Sequence, residues 1–203
     1  MLVSSGLVRA AATLARGSLL PNRGVFQGPV MKFETRKLQP EDAAAYVELR
    51  AIMLVQEPLA FLASPGDDRA CRVDFVRERL ADAEAAIFGA WAPQLVGAVG
   101  VYRHAGPKIA HKVGVWGMFV LPELRGAGLG RALMQQALAH ARKLPDVMQI
   151  TLSVSETQPA ALRLYESLGF RIWGSEPLAL RHAGRVVTEH HLALPVGDGA
   201  PPH

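Results

Sequence analysis

The chain has 203 residues, half of them hydrophobic, with 22 Lys and Arg against 18 Asp and Glu for a formal net charge of +4. That length supports one well-buried core and excludes more than two small domains. No apolar run reaches the roughly 18 residues that a membrane-spanning helix needs, which predicts a soluble body with no membrane partner, and the single cysteine, Cys71, excludes an internal disulfide framework and most thiolate metal sites.

Residues 1–30 contain Arg9, Arg16 and Arg23 and no acid, whereas charges of both signs begin at Lys32 and Glu34. The break sets a boundary near Met31 and marks a leader outside the fold. It reads as a transit segment, as a tag remnant whose VFQGP looks like a viral protease site, or as an upstream extension taken for coding sequence. The location is cytoplasmic, or organellar if the leader is a transit segment. Removing the three arginines leaves +1 for the remainder. There the charges of both signs are interspersed rather than gathered into a stripe, so no nucleic-acid partner is expected.

Pro40 followed by Glu41 and Asp42 reads as a helix start, proline first and acids in the first turn, and the helix runs to about Leu54. EPLAFLASPGDD, residues 57–68, interrupts it with two prolines and a glycine. RACRVDFVRERLADA then resumes a helical pattern with Val73, Val76 and Leu80 on one face. From Ala86 the period becomes that of strands. AIFGAWA and LVGAVGVYRH, joined at Pro93-Gln94, form a hairpin, and HKVGVWGMFV adds a third strand. Gly97, Gly100, Gly114 and Gly117 inside these strands predict bulges or close approach to the backbone.

A helix from about Leu129 to Lys143, with Leu129, Leu133, Ala137 and Ala141 inward, stops at Pro145. QITLSVS is a further strand, and Pro159 to Leu168 is a short helix with Gly169 past its end. FRIWG, then PLALRH and RVVTEHHLAL joined at Ala183-Gly184, finish the sheet. The order predicts an α/β (α+β) fold over residues 31–195, a mixed, mostly antiparallel sheet flanked by helices, with 196–203 as a flexible tail.

Between the third strand and the long helix lies LPELRGAGLGRAL, residues 121–133, with glycines at 126, 128 and 130. A strand that ends in a glycine turn and feeds a helix leaves backbone N–H groups unpaired, with the positive end of the helix dipole behind them. Such a turn is an anion cradle. A Walker A loop is excluded because no Gly-Lys-Ser/Thr follows Gly130. A dinucleotide fingerprint is excluded because Arg131 stands where a small residue belongs and no carboxylate closes a second strand about twenty residues on. What remains is Arg125-x-x-Gly128-x-Gly130, followed by Arg131 in the first helical turn.

This segment, preceded by Val120-Leu121-Pro122-Glu123, resembles the acyl-CoA-binding motif R/Q-x-x-G-x-G/A of the GNAT acetyltransferases. SVSETQPAALRLYESLGF, residues 153–170, resembles the family's next strand and helix, N-x-x-A-x-x-LY-x-x-x-GF. Residues 49–61 and 181–194 are similar to its substrate-side helix and closing strands, so the likeness covers about Lys32 to Pro195. The resemblance implies a single GNAT-like domain that moves an acetyl group directly from the co-substrate acetyl-CoA to a primary amine, without an acyl-enzyme or a metal. The nearly neutral body favours a small-molecule acceptor. An amino acid or peptide acceptor, a protein N-terminal or lysine acetyltransferase and a non-catalytic acyl-CoA-binding module are the alternatives.

The resemblance also implies roles for individual residues. The CoA pyrophosphate lies on the amides of Gly126, Ala127, Gly128, Leu129, Gly130 and Arg131, with Arg125 and Arg131 adding charge. The pantetheine arm runs against Met118, Phe119 and Val120, where one amide polarises the thioester carbonyl. Tyr165 protonates the departing thiolate. Gln158 stands where the family has an asparagine on the cofactor arm, and Ser153 where its ribosomal-protein branch has a glutamate base. Glu156, Glu189 and His190 are candidate bases by type alone. His190 and His191 face opposite sides of a strand, which argues against a shared metal site. The acceptor is expected between residues 55–68, with Pro58, Phe61 and Pro65 as a lip, and the last hairpin. Glu57, Asp67 and Asp68 are acids that could attract a cationic amine, with a wet loop as the default reading. Homodimers are common in the family.

Overall fold

The computed structural model describes residues 32–197; the expected leader and residues 198–203 of the expected tail lie outside the described residues. The elements are β1 (Glu34–Lys37), α1 (Ala43–Gln56), α2 (Val73–Ala81), β2 (Ala85–Trp91), β3 (Leu95–Arg103), β4 (Lys112–Val120), α3 (Leu129–Ala141), β5 (Gln149–Ser155), α4 (Pro159–Ser167), β6 (Arg171–His182) and β7 (Arg185–Pro195). The strands form one sheet in the order β1-β2-β3-β4-β5-β7-β6. Every neighbouring pair is antiparallel except β4 with β5. No described helix is long and apolar enough to cross a membrane.

β2 and β3 are near-continuous apolar runs, and both are buried along almost their whole length. Strands of that kind need cover on both faces. α1 and α2 supply it on one side, where Tyr46, Leu49, Met53, Val76 and Leu80 pack against Ile87 and Ala98. α3 supplies it on the other, with Leu129, Leu133, Ala137 and Ala141 all turned inward as their spacing predicts.

Two elements depart from the sequence reading. β1 was not foreseen, since four polar residues carry no apolar alternation, yet ETRK pairs with β2 along the sheet edge. It is held by Arg36, which donates to both carboxylate oxygens of Asp42 at 2.6 and 2.9 Å. FRIWG and PLALRH, read as separate pieces, belong to one strand, β6, whose register slips between Ile172 and Gly174 and between Glu176 and Leu180. Pro177 falls in the second slip, the kind of position where a strand tolerates a missing N–H.

The glycines of β3 and β4 make room for rings. A Cβ on Gly100 would occupy the Trp116 indole, and one on Gly114 the Tyr102 ring. Between Gly100↔Trp116 and Ala98↔Phe119, the two residues Gly117 and Met118 of β4 stand opposite Val99 alone. This is a bulge, with Gly117 at φ +62. Bulged strands bend, and β4 pairs with β5 only from Lys112↔Gln149 to Gly114↔Thr151. Beyond Gly114 the two strands part.

Under the bulge lies Arg50, 5% exposed. It donates Nε to Asp68 Oδ2 at 2.6 Å and sits over the rings of Phe61 and Trp116, 5.0 and 5.8 Å from their centroids. The pair ties the 57–68 segment back onto α1. Asp68→Ala leaves a buried guanidinium without a counter-charge and is expected to lower unfolding free energy by about 3–5 kcal/mol. Urea denaturation reads this as an earlier midpoint; a midpoint equal to the parent's contradicts it.

Candidate active site

The parting of β4 and β5 opens a cavity of about 240 Å³. β4 lines it with Val115 to Val120, β5 with Leu152 to Ser155, and α4 with Leu164 and Tyr165. Glu57 and Phe61 close one side, and Arg125, Gly126 and Gly130 form the end beside α3. Consecutive residues of β4 and of β5, whose side chains point to alternate faces of the sheet, line it. Of the residues expected at the site, Met118, Phe119, Val120, Arg125, Gly126, Gly130, Gln158 and Tyr165 line it. Ala127, Gly128 and Arg131 belong to the turn beyond its end, and the Leu129 side chain is core. Phe61 lines the cavity but Pro58, Pro65, Asp67 and Asp68 do not.

The glycine turn is shaped by conformation at two positions and by packing at a third. Gly126 and Gly128 have φ of +83 and +88, and a Cβ on either would meet nothing within 4 Å. A Cβ on Gly130 would sit 3.1 Å from Met118 Cε and 3.4 Å from Leu164 Cδ2, so this glycine lets α3 close on β4 and α4. Among the described residues, no backbone or side-chain oxygen accepts from the amides of residues 126–131. The turn therefore presents a row of unspent donors at a helix N-terminus, the arrangement that binds phosphate groups.

The two arginines are less free than expected. Arg125 turns back, donating Nε to the Val120 carbonyl at 3.0 Å and a terminal nitrogen to Glu57 Oε1 at 2.9 Å. The first acceptor ends β4 and the second follows α1, so Arg125 holds the turn against both elements. Arg131 is exposed and donates to Ser167 Oγ at 2.8 Å. Glu57, read from sequence as a wet-loop acid, is a bridge: its other oxygen accepts from Gln158 Nε2 at 2.8 Å. It thus joins the end of α1 to the glycine turn and to the start of α4. Its partners lie 68 and 101 residues away, which no local pattern signals.

Tyr165 is 5% exposed and packs edge-on to Phe170, centroids 6.2 Å apart. Burial pushes its hydroxyl above the ordinary tyrosine range, so the group stays protonated at neutral pH. A phenol held in that form beside a cavity can donate a proton there.

The base candidates read by type separate. Glu156 is exposed and accepts from the Thr188 amide at 3.1 Å, which ties it to the β7 backbone. His190 bonds Ser175, and His191 bonds Ser153, each at 2.8 Å, in keeping with opposite faces. Glu189 shares the His191 side, and its carboxyl is raised first by burial, with His191 opposing and Glu176 adding. Ser153 lines the cavity, and His191, which bonds it, was not among the bases considered from sequence.

The sequence model of the Acetyltransferase (GNAT) family matches residues 48–170. The chain is 56% identical over 52 residues to the mycothiol acetyltransferase of Thermobispora bispora, a stretch that is 26% of this chain; the chain spans only 17% of that relative's length. It is similar to the structure of a GCN5-related N-acetyltransferase from Kribbella flavida, with a TM-score of 0.69 and 23% identity over 81% of this chain and 98% of that one. It is also similar to a phosphinothricin acetyltransferase from Sinorhizobium meliloti in complex with acetyl-CoA, with a TM-score of 0.72 and 16% identity over 85% and 93%. At these identities the structural likeness is one of fold.

Gly128→Ala forces an L side chain into the left-handed region in open space, so its whole effect is conformational. It is expected to lower stability by about 1–2 kcal/mol, seen as a lower urea midpoint. An unchanged midpoint would mean that the turn adopts another backbone path.

Proposed function

Because the chain belongs to the Acetyltransferase (GNAT) family, we propose that it transfers an acetyl group from acetyl-CoA directly to the primary amine of a small molecule. The observation that carries this reading is the continuity of two features: a cavity between parted strands and, at its end, a turn whose amides have no protein acceptor among the described residues. A long ligand with a phosphate-bearing end and a narrow arm fits both. The thioester supplies an activated acyl group; the protein's part is to bind, orient and move protons.

In this reading the amides of residues 126–131 hold the pyrophosphate, and Met118, Phe119 and Val120 flank the arm. The bulge at Gly117 and Met118 turns backbone away from the ladder and toward the cavity, where an N–H can polarise the thioester carbonyl as charge builds on its oxygen. Gln158, now held by Glu57, can exchange that partner for an amide of the arm. Tyr165 gives its proton to the leaving sulfur. A small acceptor is favoured by the nearly neutral body and by the relative named a mycothiol acetyltransferase, whose matched segment covers 26% of this chain. Interspersed charges of both signs argue against a nucleic-acid partner, and a cytoplasmic setting without a membrane partner belongs to the same proposal.

The test is thiol release from acetyl-CoA with a panel of amino sugars, amino acids and an N-terminal peptide. Turnover is expected with a small amine. Tyr165→Phe is expected to lower kcat by about 100-fold while acetyl-CoA affinity changes by less than about twofold. Calorimetric binding of acetyl-CoA without thiol release from any amine points to a binding module and overturns the transfer reading.

A further inference from the structure

A serine hydroxyl is too weak a base to hold an ammonium proton, yet Ser153 is the polar side chain that β5 presents to the cavity beside Ser155. Its neighbours supply what it lacks. β5 and β7 pair with Ser153 opposite His191, so the two side chains leave the sheet on the same face, away from Leu152 and Val154. Ser153 Oγ lies 2.8 Å from His191 Nδ1, and His191 Nε2 lies 3.4 Å from Glu176 Oε2 on β6. A carboxylate only accepts, so Nε2 carries its hydrogen toward Glu176. In the neutral ring Nδ1 is then the bare nitrogen, and the Ser153 hydroxyl donates to it. The Trp173 indole stacks on the imidazole at 5.5 Å and 28°, which fixes the ring plane. Hydroxyl, imidazole and carboxylate form a line that starts at the cavity wall and runs outward across three strands.

We propose that Ser153 and His191, with Glu176 as the positioning residue, form a proton relay that deprotonates the acceptor ammonium. An N–H bond of the ammonium breaks and its proton passes to Ser153 Oγ, while the hydroxyl's own proton passes to His191 Nδ1. The amine lone pair then forms the C–N bond as the C–S bond breaks. The nitrogen sheds its second proton, which balances the one that Tyr165 gives to sulfur, and His191 returns the first to solvent through its partly exposed ring, 26% accessible. The relay rests on the transfer reading above. The titratable groups that face His191 are Glu176 from β6 and Glu189, two residues along β7 on the same side; their atoms and the imidazole lie within 4.8 Å of one another. β5 contributes only hydroxyls there, and His190 bonds Ser175 on the other face.

The test uses the full chain. ¹⁵N spectra of the ligand-free protein at high pH are expected to give an Nε2–H, bare-Nδ1 tautomer for His191. With acetyl-CoA and the fastest amine of the panel, His191→Ala is expected to lower kcat at pH 7 by about 100-fold. Acetyl-CoA affinity should stay within about twofold, and the deficit should shrink as pH rises and solution supplies free amine. Ser153→Glu added to His191→Ala places a carboxylate at the cavity wall and is expected to recover at least about tenfold, which a merely structural role for His191 does not predict. An Nδ1–H ring, a pH profile of His191→Ala that matches the parent's, or an acetyl adduct on Ser153 in the intact mass overturns the relay alone. A parent chain that binds no acetyl-CoA overturns the transfer reading, and the relay with it.

Discussion

The molecule is organised by one interruption: β4 and β5, neighbours in a sheet, stay paired for three residue pairs and then separate. Unpaired strand edges are unfavourable inside a protein, because each N–H and C=O turned away from a partner loses a hydrogen bond. Here the interruption is built in rather than tolerated. A two-residue bulge bends β4, and the indole of Trp116 fills the space left by the missing side chain of Gly100 across β3.

The separated ends are stitched together by charge rather than by backbone. On one side Arg50 and Asp68 pin the segment after α1 beneath the bulge. At the mouth Glu57 accepts from Arg125 and Gln158 at once, so three elements distant in sequence converge on one carboxylate. The two contacts differ in kind. The Arg50 pair is buried and serves the fold, whereas the Glu57 bridge is partly exposed, 22% on the carboxylate side, and crosses the cavity itself. A polar contact of the second kind exchanges readily for a ligand's groups, since water already competes for it.

Much of this was legible in order of residues. The hairpin at Pro93-Gln94, the inward face of α3 and the glycine turn follow from periodicity and punctuation within a few positions of each residue, and the structure agrees with all three. The hairpin at Ala183-Gly184 is a turn with both central residues at positive φ, 48 and 79, as its sequence suggests. What escaped was long-range. Glu57 looked like any acid after a helix, Arg125 like a free cation, and His191 like half of an uninformative pair. Their roles depend on strand register and on loops that meet across the cavity, quantities that side-chain spacing does not encode. β1 escaped for the opposite reason, since its pairing is local but its residues are those of a wet edge.

β6 is an edge strand of the sheet, opposite β1, and Trp173 and Leu178 stand exposed along it. A flat edge of twelve residues with such side chains would be a template for a stray chain to pair against and a seed for aggregates. The register slips that split β6 into two pieces in the sequence reading work against this. Leu178 at φ +61 and Pro177 beside it break the row of free donors and acceptors, and Arg171, Glu176 and Arg181 space charges along the rest. Irregularity at this rim leaves no long, straight edge for another strand to extend.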